Sequence, residues 1–400
     1  MSTLRPLPDR PDLRHLKGQA KDLLKSGVAA SLAEAQFKIA RSYGFASWPK
    51  LKAHLESLEE AGQLKRAIDR NDFDAVKKMM TRNPALHRAP LGYGKDGPLT
   101  WVAECRVPWE PPTPARLAMA SWMIENGSDV HQGGDGPLGR AALNGYRIPM
   151  MALLLAHGAD VNAVWRGHFP IIFSPCESLD PESLKWLLDH GANPNCDDGQ
   201  GRGTALDYVI ATYVRSPGRL HACIDALLVA GGTTRFNAPG VLEVLRGQVD
   251  RLAALLDDDP QLLYRRFPEL ECGNTGARRL LLQGATLLHA AAEFGELDAA
   301  RLLLDRGADV NARADVGVSG VGGQTALFHA VTQFDDDGLP MAKLLVEHGA
   351  DLGVRATVPG HYERPEEFVD CTPLGYARRF PDESGKTATV AFLRQRGAKE

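Results

Sequence analysis

Chemistry in this 400-residue chain would have to be built from twelve histidines, six cysteines and a short GKT string. Their spacing assembles none of the usual centres. Cys105, Cys176, Cys196, Cys223, Cys272 and Cys371 stand apart with no CxxC pair, and no HExxH occurs, so no metal is expected. Scattered thiols in a chain of this length read as reduced. His157, His190 and His348 share one position just before a glycine, where Arg306 and Arg396 also occur; a cationic group there suits the negative end of a helix dipole better than a ligand set. The string SGKT (384–387) lacks the earlier glycine of a phosphate loop, because Phe380 stands in its place, and reads as an inserted turn. GVSGVGG (317–323) misses the GxGxxG spacing and reads as a flexible finger, and there is no GxSxG elbow. Glu104, His168, His289, Glu293 and His329 remain as acids or bases for an enzyme with a pocket among long loops, but no motif fixes a reaction. The sequence therefore predicts no catalytic residue, no cofactor and no metal.

What does recur is a pair of phrases. LLLAHGADVN (153–162), LLDHGANPN (187–195), LLDRGADVN (303–311) and LLVEHGADL (344–352) each place leucines on a helix that stops at a glycine, with weaker copies at 123–131, 226–232 and 392–400. Glycine ends a helix cheaply because it accepts the left-handed conformation, and the Asp and Asn beyond it suit turns. Upstream stand TLLHAAAEFG (286–295), TALFHAV (325–331), TPLGYAR (372–378), TALDYVI (204–210), PLGRAALNG (137–145) and PLTWVAE (98–104). Leu288, Ala291 and Ala292 share one face of a short helix whose small side chains admit a close neighbour. The unit is turn, short helix, second helix, glycine stop.

These two phrases resemble the ankyrin repeat, T-P-L-H-x-A-A followed by L-L-x-x-G-A-D-x-N, and 286–311 matches across both. The resemblance runs from about residue 62 to the C-terminus. It implies an all-α solenoid of paired antiparallel helices with hairpin fingers, working as a protein-interaction scaffold. Two units, 72–87 and 247–264, replace the glycine stop by Pro84 and Pro260 with a leucine beyond, so the array reads as doubled: 61–236 and 237–400, nine units in all. Equivalent leucines or isoleucine (99, 138, 171, 206, 288, 327, 374) are 39, 33, 35, 82, 39 and 47 residues apart. Against a repeat of about 33 residues, the 82 hides one degenerate unit and the rest mark insertions. Those at 106–115, 212–220 and 332–340 lengthen the turn within a pair; those at 88–97, 163–170, 264–285 and 354–371 lengthen fingers.

Residues 1–60 lack the repeat. Leu13, Leu16, Ala20, Leu23 and Leu24 mark one amphipathic helix, Ser31 with Glu34 caps a second that Gly44 ends, and Ser47 with Pro49 starts a third that buries Trp48, Leu51 and Leu55. The stretch 33–56 resembles an N-terminal module of bacterial ankyrin-repeat proteins, and a three-helix cap over the exposed end of the array is its expected role. Up to residue 55 there are ten Lys or Arg against four Asp or Glu. That excess leaves DNA contact by a helix-turn-helix as the alternative, tested by a salt-sensitive gel shift.

No apolar run approaches the roughly 20 residues of a membrane span, no secretory pattern opens the chain, and the net charge is only −4. A cytoplasmic protein with a protein partner and no membrane contact is expected. The resemblance places binding on the concave face made by fingers and first helices. The candidates there, chosen as aromatics and charged groups at those positions, are Trp101, Glu104, Arg140, Trp165, Arg166, His168, Arg202, Tyr208 and Tyr376. Trp109, among Pro108, Pro111, Pro112 and Pro114, reads as stiffening its insertion.

Overall fold

The structure, a computed structural model, describes residues 5–8, 12–91, 96–104, 111–274, 280–360, 368–379 and 387–400. Trp109, Cys105, Phe380 and most of the SGKT string lie outside the described residues. The described chain falls into two compact units, one up to Gln132 and one from Gly133 onward.

In the first unit, three capped helices enclose a small core of their own. Asp12, Ser31 and Ser47 accept hydrogen bonds from the first turns of α1 (Leu13–Lys25), α2 (Leu32–Ser42) and α3 (Trp48–Asp69). Leu16, Ala20, Ala35, Ile39, Leu51 and Leu55 close together at their centre. The second cap differs from a full capping box, since Glu34 reaches back to the amide of Ala30 rather than to that of Ser31. α3 runs without a break through residue 60 to Asp69, so the segment expected as a separate cap shares a helix with the start of the repeat region. Then come α4 (Phe73–Arg82), α5 (Pro98–Glu104) and α6 (Pro114–Glu125), with α3 against α4 and α5, and α6 against α4 and α5.

The second unit continues with α7 (Gln132–Ala141), whose first turn holds Gly133, Gly134 and Asp135 at positive φ, and α8 (Ile148–Ala156). Next are α9 (Phe173–Ser178), α10 (Pro181–Asp189), α11 (Ala205–Ala211), α12 (Pro217–Val229), α13 (Val241–Leu245) and α14 (Val249–Asp258). Last come α15 (Leu287–Phe294), α16 (Leu297–Asp305), α17 (Ala326–Ala330), α18 (Leu339–Glu347), α19 (Pro373–Arg379) and α20 (Thr387–Gln395). Consecutive helices pair in each unit, α3 with α4 and α5 with α6 in the first, and α9 with α10, α11 with α12, α13 with α14, α15 with α16, α17 with α18 and α19 with α20 in the second, where packing extends sideways as well: α15 touches α17 and α17 touches α19, while α14 touches α16, α16 touches α18 and α18 touches α20. First helices therefore lie against first helices and second against second.

The glycine stops behave as the repeat pattern requires. Gly127, Gly158, Gly191, Gly307, Gly349 and Gly397 have φ of 113°, 96°, 90°, 91°, 89° and 90°. The asparagine that ends the phrase then clamps the next unit. Asn162 donates to Gly191 O and accepts from the Asn193 amide; Asn195 does the same with Gly231 and Thr233, and Asn311 with Gly349 and Asp351. The degenerate units end on a common device: Asn83 and Asp259 cap short 3-10 turns at Pro84–Arg88 and Pro260–Leu263, which bury Leu86 and Leu262.

Strands among the described residues are short and confined to fingers: β1 (Val164–Trp165) with β2 (Phe169–Pro170), and β3 (Ala356–Val358) with β4 (Phe368–Cys371), both antiparallel. The glycine-rich segment expected as a flexible finger is built into this layer. Gly317 N donates to Val321 O and Gly322 N to Thr357 O, both at 2.8 Å, which ties its turn to β3.

Candidate functional site

The insertion at 163–170 folds as the β1–β2 hairpin, and its construction aims two side chains outward. Trp165 pairs with Phe169 across the ladder, while Arg166 and Gly167 at the tip have φ of 53° and 72°. A left-handed arginine costs roughly 1–2 kcal/mol and persists only where the surroundings fix it, a pattern concentrated at functional sites. Here the Arg166 amide donates to Gly133 O at 2.9 Å. Gly134 makes that approach feasible, because a Cβ there would stand 2.6 Å from Val164 O.

Behind the tip lies an aromatic cluster. Trp165 meets Phe169 edge-on at 5.9 Å, Phe169 meets Phe173 at 5.8 Å and Tyr208 at 5.9 Å, and Phe173 stacks on Tyr208 at 4.6 Å. Phe173, on α9, is fully buried; Trp165, Phe169 and Tyr208 are half-exposed. Two guanidiniums lie over the rings: Arg166 at 4.9 Å from the Trp165 ring centre, and Arg202 at 5.9 Å from Phe169 and 6.0 Å from Tyr208. His168 faces the carbonyl of Arg166 at 3.0 Å. Burial, and after it the Glu177 carboxylate, push the Tyr208 phenol far up, so it remains a neutral donor.

Five of the nine candidates, Trp165, Arg166, His168, Arg202 and Tyr208, thus come together. Arg140 is half-buried on α7, with its carbonyl accepting from Arg147. Glu104 ends α5, half-buried, in the first unit. Two candidates are turned inward instead. Trp101 is 3% exposed, with its indole donating to Asp69 at 2.6 Å and Lys65 over its ring. Tyr376 is fully buried against Phe328 and Phe368, its hydroxyl donating to Pro359 O at 3.0 Å. An aromatic on a seven-residue helix exposes or buries its ring according to where the neighbouring helix crosses, which repeat position alone does not say. Phe169, Phe173 and Arg235 escape a selection by repeat position, although the alternation of aromatics around Gly167 is a readable hairpin signal.

The acids and bases considered for catalysis divide differently. His289, Glu293 and His329 do converge, but at 1%, 0% and 0% exposure. Glu293 receives Arg215 at 2.8 Å and His329 Nδ1 at 2.6 Å, and its carbonyl accepts from Gln333. A proton carrier must touch its substrate; here the groups brace α15 against α17 and the 212–220 insertion, through Arg215. His289 is fixed as well. Its Nε2 faces Gln324 O at 3.1 Å and so carries the proton, while Nδ1 accepts from Thr286.

Burial, reinforced by His329 nearby, pushes the His289 ring down to about 3 from 6.5. Since the unfolded chain then takes the proton first, the stability gained from the neutral ring is whole above pH 6.5 and is lost as pH falls towards 3. The unfolding free energy of the wild type, from urea denaturation, is expected to fall through that window more steeply with pH than that of His289→Gln. Parallel pH profiles would contradict the assignment.

Among the described residues no group of three or more His, Cys, Asp or Glu is arranged to hold a metal ion, and no helix is long and apolar enough to cross a membrane. Cys176, Cys196, Cys223, Cys272 and Cys371 are unbridged, and burial raises their thiols above the usual range.

Comparison with known proteins identifies the repeat. Residues 251–356 match the family model for ankyrin repeats, described as three copies. Over 253 residues, 62% of this chain, the sequence is 28% identical to the mouse B-cell lymphoma 3 protein homolog, and the match spans only 42% of that protein's length. Among solved structures, the human ASB11 ankyrin repeat domain aligns at 22% identity, covering 66% of this chain and 99% of that one, with a TM-score of 0.33. Residues 251–356 therefore carry ankyrin repeats, which imply a protein–protein interaction domain.

Proposed function

We propose that this chain is a cytoplasmic protein-interaction scaffold, a solenoid with a helical N-terminal cap, that docks a partner across its fingers and centres that contact on the Trp165–Arg166 hairpin. The observation that carries the reading is the braced hairpin. Aromatics with arginines stacked on them, half-exposed over a buried ring, make up the residue set that dominates interface energetics. Their rigid seating lowers the entropy lost on binding. Arg140 stays in this docking set of the second unit, and Tyr376, like Trp101 of the first unit, is left out because its ring faces the interior. No covalent step enters: the partner is held by ring burial and guanidinium contacts.

Affinity capture from extracts of the native cell, read by mass spectrometry, tests this. Trp165→Ala and Arg166→Ala should each weaken capture of the same partner by about 30-fold, the effect of removing an interface anchor of roughly 2 kcal/mol. Their thermal unfolding midpoints should stay near wild type. Capture undiminished by both substitutions would remove the site.

A further inference from the structure

The later fingers of the second unit enclose a cavity that the Trp165 hairpin does not line. Its volume is about 430 Å³, and apolar residues dominate its walls: Pro268, Leu280, Leu281, Val316, Val321 and Pro359. The fingers approach closely there because glycine permits it. Asp315 N donates to Gly284 O at 3.0 Å, and a Cβ on Gly284 would stand 2.5 Å from that of Asp315.

Gln324 also lines this cavity and is 4% exposed. Its amide crosses from one finger to the next, with Nε2 donating to Leu281 O at 3.1 Å. Oε1 of the same amide is buried and has no hydrogen-bond partner among the described residues. An acceptor taken out of water in this way costs free energy until a donor reaches it. The remaining polar groups at the cavity are served already. Gln283 and Ser319 are exposed to water, and the Asp315 carboxylate is 57% exposed and 3.5 Å from Arg266.

Beside the cavity, the finger turn holds Val316 60% exposed and Val318 fully exposed. A small molecule inside the cavity would leave these valines wet, whereas a protein segment covers both. The occupant must also bring a donor. An indole N–H is a donor only, while a phenol would bring acceptor lone pairs to a lining with no unpaired buried side-chain donor among its described residues.

We infer that the cavity takes the indole of a tryptophan on an uncharged, apolar segment of a protein partner, its N–H meeting Gln324 Oε1 and its neighbours lying on Val316 and Val318. This rests on the scaffold reading only in taking the partner to be a protein, and it does not require the Trp165 hairpin. Tryptophan seated in a pocket is the commonest kind of interface anchor.

The test uses the full chain and short labelled peptides of Ser and Leu with a central Trp, 1-methyl-Trp or Ala, in fluorescence anisotropy, with free indole as competitor. The Trp peptide should bind at least about tenfold more tightly than either of the others, because methylation removes the donor. Gln324→Met should make the Trp and 1-methyl-Trp peptides bind alike. Val318→Asp should weaken the Trp peptide by about fivefold with no change in thermal midpoint, since the side chain packs on nothing in the free chain. If Gln324→Met does not fold, Val316→Trp, which fills the cavity from an exposed position, should abolish binding. Trp and 1-methyl-Trp peptides binding the wild type alike, no saturable binding of the Trp peptide, or free indole binding as tightly as the peptide would each overturn the inference. Capture that still depends on Trp165 in those cases leaves the scaffold reading standing; capture indifferent to Trp165, with the Trp peptide preferred, removes the hairpin site and supports this one.

Discussion

Replacing Arg215 by alanine is expected to lower the unfolding free energy by about 3–5 kcal/mol, the usual cost of removing one partner from a buried ion pair. Its guanidinium is 10% exposed and the Glu293 carboxylate fully buried. The same guanidinium also donates to Thr212 O, Val214 O and Asn274 O, and lies 4.7 Å over the Phe294 ring. Truncation leaves a buried carboxylate with His329 and no guanidinium, and three carbonyls short of a donor. Because most of the loss is the stranded charge, Arg215→Ala with Glu293→Gln should recover part of it. Denaturant unfolding checks both, and a loss below about 1 kcal/mol for the single variant would show that the pair is not buried as described.

Phe173→Ala should be nearly as damaging, about 3–5 kcal/mol for an aromatic removed from a tight core. Phe173 is fully buried and touches both Phe169 and Tyr208, so its loss undermines the floor on which Trp165 and Arg202 sit. Thermal unfolding and partner capture should both fall in this variant, whereas Trp165→Ala separates them. A Phe173→Ala protein with wild-type stability and capture would mean that the rings above it are held by something else.

The repeat is legible in the sequence because its physics is local. A leucine face, a glycine that must turn left-handed and an asparagine two residues beyond an aspartate or another asparagine specify helix, stop and clamp without reference to the rest of the chain. The six stops, like the clamps at Asn162, Asn195 and Asn311, come from that local pattern. The histidines before the stops are readable for the same reason: His190 and His348 bond carbonyls of their own helix ends, at 2.7 Å and 2.9 Å. Non-local choices are not legible. Nothing around Arg215 announces that an inserted loop sends it 78 positions along the chain to Glu293. Trp101 and Trp165 look alike as aromatics at finger-side positions, and only packing buries one and leaves the other at a surface. The same holds for 317–323, whose glycines read as slack until Gly322 is seen bonded to β3.

Hydrogen–deuterium exchange of the captured complex against the chain alone measures the docking claim most directly. Protection is expected in 163–170 and 198–208, with exchange around the inward-facing Tyr376 unchanged. Protection confined to other segments, with both of these unaltered, would contradict it.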